Sequence, residues 1–319
     1  MQGLRAASPA ELLAAAREDD RAALARLLTL VERGGSGARD VARTVFPLAG
    51  AAHTVGITGA PGAGKSSLTS ALCREVRSAE GRIAVLAIDP SSPFSGGAIL
   101  GVRVRMGDHT LDDGVFIRSM ATRGHLGGLS LATPEAVRVL DAAGYPWVVV
   151  ETVGVGQVEV EIAGAADTTV VVVNPGWGDA VQANKAGLME IADVFVINKA
   201  DRPGAADTRR DLENMLALGA HRDHPPAIVE TTATSGRGVD DLWIALQEHR
   251  DRVVASGELA ARRAERSDDE LRDVVVARLT ERAASLCDGQ AWEAARSAVR
   301  SGELDPWEAA ADLLDGLGR

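Results

Sequence analysis

Two patterns of apolar spacing divide the chain. Between residues 10 and 33, Leu12, Leu13, Ala16, Leu24, Leu27, Leu28 and Val31 recur at three- and four-residue intervals with charges between them, the period of a helix with one buried face. Gly34-Gly-Ser-Gly37 ends that run, and a further short helical stretch reaches Val45 before Pro47. Seven short β-rich runs then follow, at 54–58, 83–88, 115–119, 147–150, 168–173, 194–197 and 228–231, alternating with segments of helical spacing. Most of these runs are continuously apolar rather than apolar at every second position, which predicts strands covered on both faces. Helices between them predict right-handed crossovers in a mostly parallel sheet. After about Asp251 the strands stop: 252–287 reads as one long charged amphipathic helix, with further helices near 290–300 and 306–317. Such an arm is too extended to bury itself, and the pattern predicts that it packs against a partner or a second copy.

Composition narrows the classes. At 319 residues and 46% hydrophobic content the chain can bury a full core. A net charge of −11 and no basic cluster interleaved with aromatics argue against a nucleic-acid surface. The longest apolar runs are strand-length, so no membrane span is expected. Residues 1–20 show neither a secretory apolar core nor the acid-poor pattern of a transit peptide, and Cys73 and Cys287 are far apart; both observations lead us to expect a cytoplasmic protein. Cys73 is expected to be a buried helical thiol.

One motif sets the chemistry. Gly59-Ala60-Pro61-Gly62-Ala63-Gly64-Lys65-Ser66 follows an apolar run and precedes a helical one beginning near Ser67, the context that a phosphate-binding loop requires. Glycines let backbone N–H groups turn inward around a phosphate, the helix N-terminus adds partial positive charge, and Lys65 is placed to bridge phosphate oxygens. Ser66 is the expected magnesium ligand. Two runs end in acids at the carboxyl edge of the sheet, where such sheets bind ligands: Asp89 and Glu151 are the expected further magnesium residues. Glu151-Thr-Val-Gly154 occupies the place of a γ-phosphate sensor, with the Gly154 amide reporting the phosphate and Val155-Gly156-Gln157 moving after hydrolysis. The expected fold is therefore α/β, a P-loop NTPase with a mostly parallel sheet flanked by helices. We divide it into an N-terminal helical segment (1–50), a P-loop nucleotide-binding domain (51–251) and a C-terminal helical arm (252–319).

The base is expected to be guanine, because guanine presents N1–H and an exocyclic amine side by side and a single carboxylate accepts both. Asp201 in Asn198-Lys199-Ala200-Asp201 stands where that carboxylate is needed. Asn198 can bridge base and P-loop, the Lys199 stem can lie across the base face, and Thr231-Thr232-Ala233 follow at the next strand end. Of the 34 basic residues only Lys65, Lys185 and Lys199 are lysines, so two of the three fall inside nucleotide motifs.

Four further stretches carry a resemblance: 88–101 (Ile-Asp-Pro-Ser-Ser-Pro-Phe-Ser-Gly-Gly-Ala-Ile-Leu-Gly), 116–128, 151–157 and 175–187. With Asp305-Pro-Trp-Glu-Ala-Ala310 they make nearly the whole chain similar to the MeaB/ArgK proteins. Those are GTPase chaperones of adenosylcobalamin-dependent methylmalonyl-CoA mutase, related to the human methylmalonic aciduria type A protein. The resemblance implies GTP/GDP and Mg2+ as ligands and a homodimer held through the C-terminal arm. It further implies that the protein gates delivery of adenosylcobalamin to an acyl-CoA mutase and guards that mutase. Nucleotide-responsive loops are implied at about 90–106, 153–159 and 175–187, with Gln157, Asp179 and Lys185 as switch residues. The family usually has an acidic residue where this chain has Val102, before Arg103, so hydrolysis is expected to be slow or partner-dependent.

Catalysis of phosphoryl transfer is mainly electrostatic positioning, for which Arg103, Arg105, Arg118 and Arg123 are candidates. His221-Arg-Asp-His224 is expected to be a solvated loop, because Pro225-Pro226 follows. Two other functions share this core: a metallochaperone GTPase of the nickel-insertion type and a P-loop small-molecule kinase.

Overall fold

The computed structural model describes residues 7–79, 81–89, 109, 112–121, 132–152, 162, 164–176, 190–218 and 224–315. They divide into two compact units, with the boundary between Arg263 and Ala264.

The first unit is built on seven parallel strands: β1 (His53–Gly59), β2 (Ile83–Asp89), β3 (Val115–Ala121), β4 (Trp147–Thr152), β5 (Thr168–Val173), β6 (Val194–Asn198) and β7 (Ala227–Thr231). Their order in the sheet is β3-β2-β4-β1-β5-β6-β7. All seven predicted runs are strands, each within two residues of its expected ends. The helices among the described residues are α1 (Pro9–Arg17), α2 (Arg21–Arg33), α3 (Gly35–Val45), α4 (Lys65–Ser78), α5 (Ala132–Ala142), α6 (Ala205–Leu218), α7 (Val239–Ala255), α8 (Glu258–Leu286), α9 (Gly289–Ser301) and α10 (Pro306–Asp315).

Continuous apolar strands demand cover on both faces, and the buried clusters show how it is met. On one face, Val55, Ile57, Val85, Val149, Val170, Val172 and Val196 pack against Leu68, Leu72 and Val76 of α4 and Leu242 and Leu246 of α7. On the other, Ala84, Leu86, Val148 and Val150 meet Leu24, Leu27, Leu28 and Val31 of α2, Val41 and Val45 of α3, and Val139 and Leu140 of α5. Beyond them Val171, Val173, Phe195 and Ile197 meet Ala205 and Leu212 of α6. The N-terminal helices thus share one core with the sheet.

Two expected helices are in fact pairs. The 10–33 pattern breaks at residues 18–20: Asp19 has φ 65°, and Asp20 caps α2 by accepting from Ala22 and Ala23 N–H. The 252–287 pattern breaks at Ser256-Gly257, where Gly257 takes φ 77°, so α7 ends at Ala255 and α8 starts at Glu258.

Each outer edge of the sheet is met by an arginine. Arg21 donates to the carbonyls of Asp112 and Val115 at 2.9 and 2.8 Å beside β3. Arg209 donates to the Ile228 carbonyl of β7 at 2.9 Å and to Glu230 at 2.7 Å.

In the second unit, α8 from Ala264 onward, α9 and α10 contain one buried residue, Ala309, while Leu271, Val275 and Leu279 form an exposed apolar stripe on α8.

Candidate nucleotide site

The loop from Gly59 to Gly64 joins β1 to α4 at the carboxyl edge of the sheet. Two of its glycines are dictated by space as well as by backbone conformation. Gly59 has φ 135°, and a Cβ there would lie 2.1 Å from the Val172 carbonyl oxygen; Gly64 has φ 97°, and a Cβ there would lie 2.4 Å from Asn198 Nδ2. Gly64 also serves as the N-cap of α4 and has no side chain of its own to occupy the first-turn N–H groups. Lys65 begins α4 and is buried; its Nζ donates to the carbonyls of Gly59 and Ala60 at 2.5 and 3.2 Å, across the mouth of the loop. Pro61, Gly62 and Ser67 are exposed, and Ala63 is buried beneath them.

The base-side strand docks onto this loop through one residue. Asn198 closes β6 and is 2% exposed. Its Nδ2 donates to the Ala63 carbonyl at 2.9 Å, while its Oδ1 accepts from Thr231 Oγ1 at 3.1 Å and Ala233 N–H at 3.2 Å. A single carboxamide therefore ties the phosphate loop, the end of β6 and the end of β7 together. Lys199 follows in the left-handed region at φ 60°, which aims its Nζ at the Gly62 carbonyl, 2.6 Å away. Asp201 is exposed two residues further on, and the Ala200 N–H bonds the Thr231 carbonyl at 3.0 Å. Thr232 and Ala233 are buried beside this junction. Thr231, expected with Thr232-Ala233 at the end of the next strand, joins the junction through its hydroxyl.

Glu151 lies inside β4 rather than after it and is 1% exposed. Ser66 Oγ donates to Glu151 Oε1. In register, Glu151 lies opposite Ile57 of β1 and Ala87 of β2, and Asp89 is two residues further along β2. Hard oxygen donors from a hydroxyl and a carboxylate in contact suit Mg2+, which is usually held by one or two carboxylates and by substrate phosphates. Among the described residues no group of three or more His, Cys, Asp or Glu gathers to hold a metal. Cys73, two turns along α4, is fully buried; burial, with the Glu151 charge adding, pushes its thiol up to about 12, so it stays protonated.

Arg118, a candidate for charge stabilisation, belongs elsewhere. It lies on the α2 side of β3, paired with Glu32 at 2.7 Å and Thr29 Oγ1 at 3.2 Å. His224 is exposed. Gly154, Gln157, Asp179, Lys185, Val102, Arg103, Arg105, Arg123 and His221 lie outside the described residues.

A glycine-rich loop capped by a helix on a parallel sheet, joined to an Asn-Lys-Ala-Asp strand end, defines a P-loop protein that binds guanine nucleotides. The family described as Methylmalonyl Co-A mutase-associated GTPase MeaB matches residues 24–288, and the chain belongs to that family. It is therefore a GTPase. A protein of Pyrococcus horikoshii that carries the name of a GTPase is 48% identical over 314 residues, covering 96% of this chain and 98% of its own. The mouse protein named methylmalonic aciduria type A homolog, mitochondrial, is 36% identical over 262 residues, 76% of this chain and 63% of its own. Among solved structures, one titled LAO/AO transport system kinase has a TM-score of 0.69 and 28% identity, with 98% of each chain covered.

Proposed function

We propose that this GTPase is a chaperone that gates delivery of adenosylcobalamin to a cobalamin-dependent acyl-CoA mutase, methylmalonyl-CoA mutase by the family's description, and protects that mutase. The observation that carries the nucleotide half of this reading is the Asn198 junction, which makes the base end and the phosphate end of the site one unit. The partner half rests on the family description and on the name of the mouse relative.

In this reading Lys65 and the first-turn N–H groups of α4 hold the phosphates, Gly59 to Ser67 line them, and Asp201 accepts the N1–H and amine of guanine. Lys199 lies along the base, and Thr232 and Ala233 close its far side. Ser66, Asp89 and Glu151 would hold Mg2+, which when bound neutralises charge on the phosphate oxygens. Glu151 orients the Ser66 hydroxyl through their hydrogen bond. Gly154 reports the γ-phosphate, and Gln157, Asp179 and Lys185 belong to loops that respond to it. Turnover is slow without the partner, because Val102 supplies no carboxylate. The exposed stripe of Leu271, Val275 and Leu279 supports a homodimer through the arm.

The test is co-purification with a cobalamin-dependent mutase in GDP and in a non-hydrolysable GTP analogue, with single-turnover hydrolysis measured with and without the mutase. Nucleotide-dependent association and accelerated turnover are expected. Fast intrinsic hydrolysis indifferent to the mutase, with no association in either state, overturns the chaperone reading.

A further inference from the structure

A second polar cluster is buried at the amino edge of the sheet, the edge opposite the nucleotide site. His53 opens β1, Asp167 and Thr168 stand at the start of β5, Asp193 precedes β6, and His249 reaches them from α7. The Thr168 hydroxyl lies 2.7 Å from His53 Nε2 and 2.7 Å from His249 Nδ1, and His249 Nε2 lies 3.2 Å from Asp193 Oδ1. Each aspartate also seats a neighbouring strand: Asp167 accepts from Thr54 N–H of β1 at 3.0 Å, and Asp193 accepts from Thr169 N–H of β5 at 2.8 Å.

Onto this cluster the first turns of α8 send two consecutive arginines. Arg262 donates to Asp193 Oδ1 and Oδ2 at 3.0 and 3.2 Å. Arg263 donates to Asp167 Oδ2 and Oδ1 at 2.6 and 3.1 Å, and to the carbonyls of Gly50 and Ala52 at 2.6 Å each. Neighbours on a helix point about 100° apart, so a helix root that satisfies both pairs is fixed in rotation as well as in position. The carboxylates are 1% and 9% exposed, so a lost arginine leaves a buried charge that water does not relieve.

The two clamped positions are the starts of strands whose other ends matter. β6 begins directly after Asp193 and ends on Asn198, the residue that joins base loop to P-loop. Five residues of strand span about 17 Å, so clamp and junction are opposite ends of one short rigid piece. We propose that Arg262 and Arg263 are positioning residues: they set the axial seat of β5 and β6, and through β6 the seat of Asn198 and Asp201. A pull on the root of α8 then changes how firmly the guanine nucleotide is held. The inference rests on the guanine-nucleotide reading of the site and adds to it a route by which the helical arm acts on that site.

The full-length protein is loaded with a fluorescent GDP analogue, and its release is timed for wild type and Arg262→Gln/Arg263→Gln, with hydrogen exchange followed at residues 258–263. Faster exchange there and about 2- to 30-fold faster release are expected, with partial recovery in Arg262→Lys/Arg263→Lys. A displaced Asp201 also reads guanine less well, so the ratio of release rates for IDP, which lacks the exocyclic amine, and GDP falls toward one; a merely structural loss leaves that ratio alone. Faster exchange with unchanged release, or unchanged exchange at the root, overturns the proposal. If the double variant does not fold, Arg262→Gln alone, which leaves the Arg263 pair in place, carries the same two readouts. Wild-type protein that fails to retain the GDP analogue refutes the site reading instead.

Discussion

Gly64 and Asn198 are 134 positions apart in the chain but compete for one small volume, which makes their combined substitution a quantitative test of the junction. Asn198→Ala removes three hydrogen bonds, at 2.9, 3.1 and 3.2 Å, and leaves the Ala63 carbonyl, the Thr231 hydroxyl and the Ala233 N–H without that partner in a buried setting. At roughly 1 kcal/mol net for each bond, and somewhat more where a buried group stays unpaired, the loss is about 3–5 kcal/mol. Gly64→Ala acts in two ways. Placing a side chain at φ 97° costs about 1–2 kcal/mol on its own. The new Cβ would also lie 2.4 Å from Asn198 Nδ2, so the carboxamide must leave its bond to Ala63, a further loss of about 1–2 kcal/mol. In the Asn198→Ala background that second contribution vanishes, because the atom in conflict is gone. The double variant is therefore expected to be less destabilised than the sum of the singles by about 1–2 kcal/mol, well above the ~0.5 kcal/mol scatter of independent sites. Urea unfolding of the four proteins without nucleotide measures it. Additivity within that scatter refutes the placement of Asn198 against the P-loop, and with it the claim that the two halves of the site are one unit.

Asp201→Asn is expected to weaken GTP and GDP binding about 10- to 100-fold by calorimetry while leaving stability near wild type, because the carboxylate is exposed; unchanged affinity disproves its proposed base-reading role. Glu151→Gln should raise the Mg2+ concentration needed for tight GTP binding, read by titrating Mg2+ at fixed nucleotide, while GDP affinity without metal stays nearly constant. Burial lowers the His53 pKa from 6.5 to about 4 against the opposing pull of Asp167, so the folded state holds this ring neutral while the unfolded chain protonates it. That contribution is complete above pH 6.5 and is lost as pH falls toward 4, about 3 kcal/mol in all. The urea midpoint should drop across that window in wild type and drop less in His53→Gln; equal slopes would contradict the assignment.

What the sequence revealed depended on whether the relevant physics was local. The inner strands were legible because a strand buried on both faces is apolar at nearly every position, and β-branched runs such as Thr168–Val173 have no helical reading. The turn from Gly59 to Gly64 and the strand end at Asn198 were legible because contiguous residues form each. The break at Asp19 was hidden by an apolar period that resumes in phase after it, and Gly257 sat in a stretch whose charge pattern ran on unbroken. The amino-edge cluster was illegible for another reason. His53, Asp167, Asp193, His249, Arg262 and Arg263 come from five elements or their starts, and each alone resembles an ordinary surface or capping residue. Only the parallel register gathers them. The pairing of Arg118 was hidden for the same cause: a strand residue's face follows from its neighbours, and Glu32 of α2 is the partner.

The arginines at the two outer strands also decide how copies of this protein can meet. An outer strand with open carbonyls invites another strand, and such addition has no natural stop. Arg21 already occupies the carbonyls of Asp112 and Val115, and Arg209 that of Ile228. Growth of the sheet across molecules would have to evict a charged group first. Addition of strands between copies is thereby disfavoured at both outer edges of the sheet.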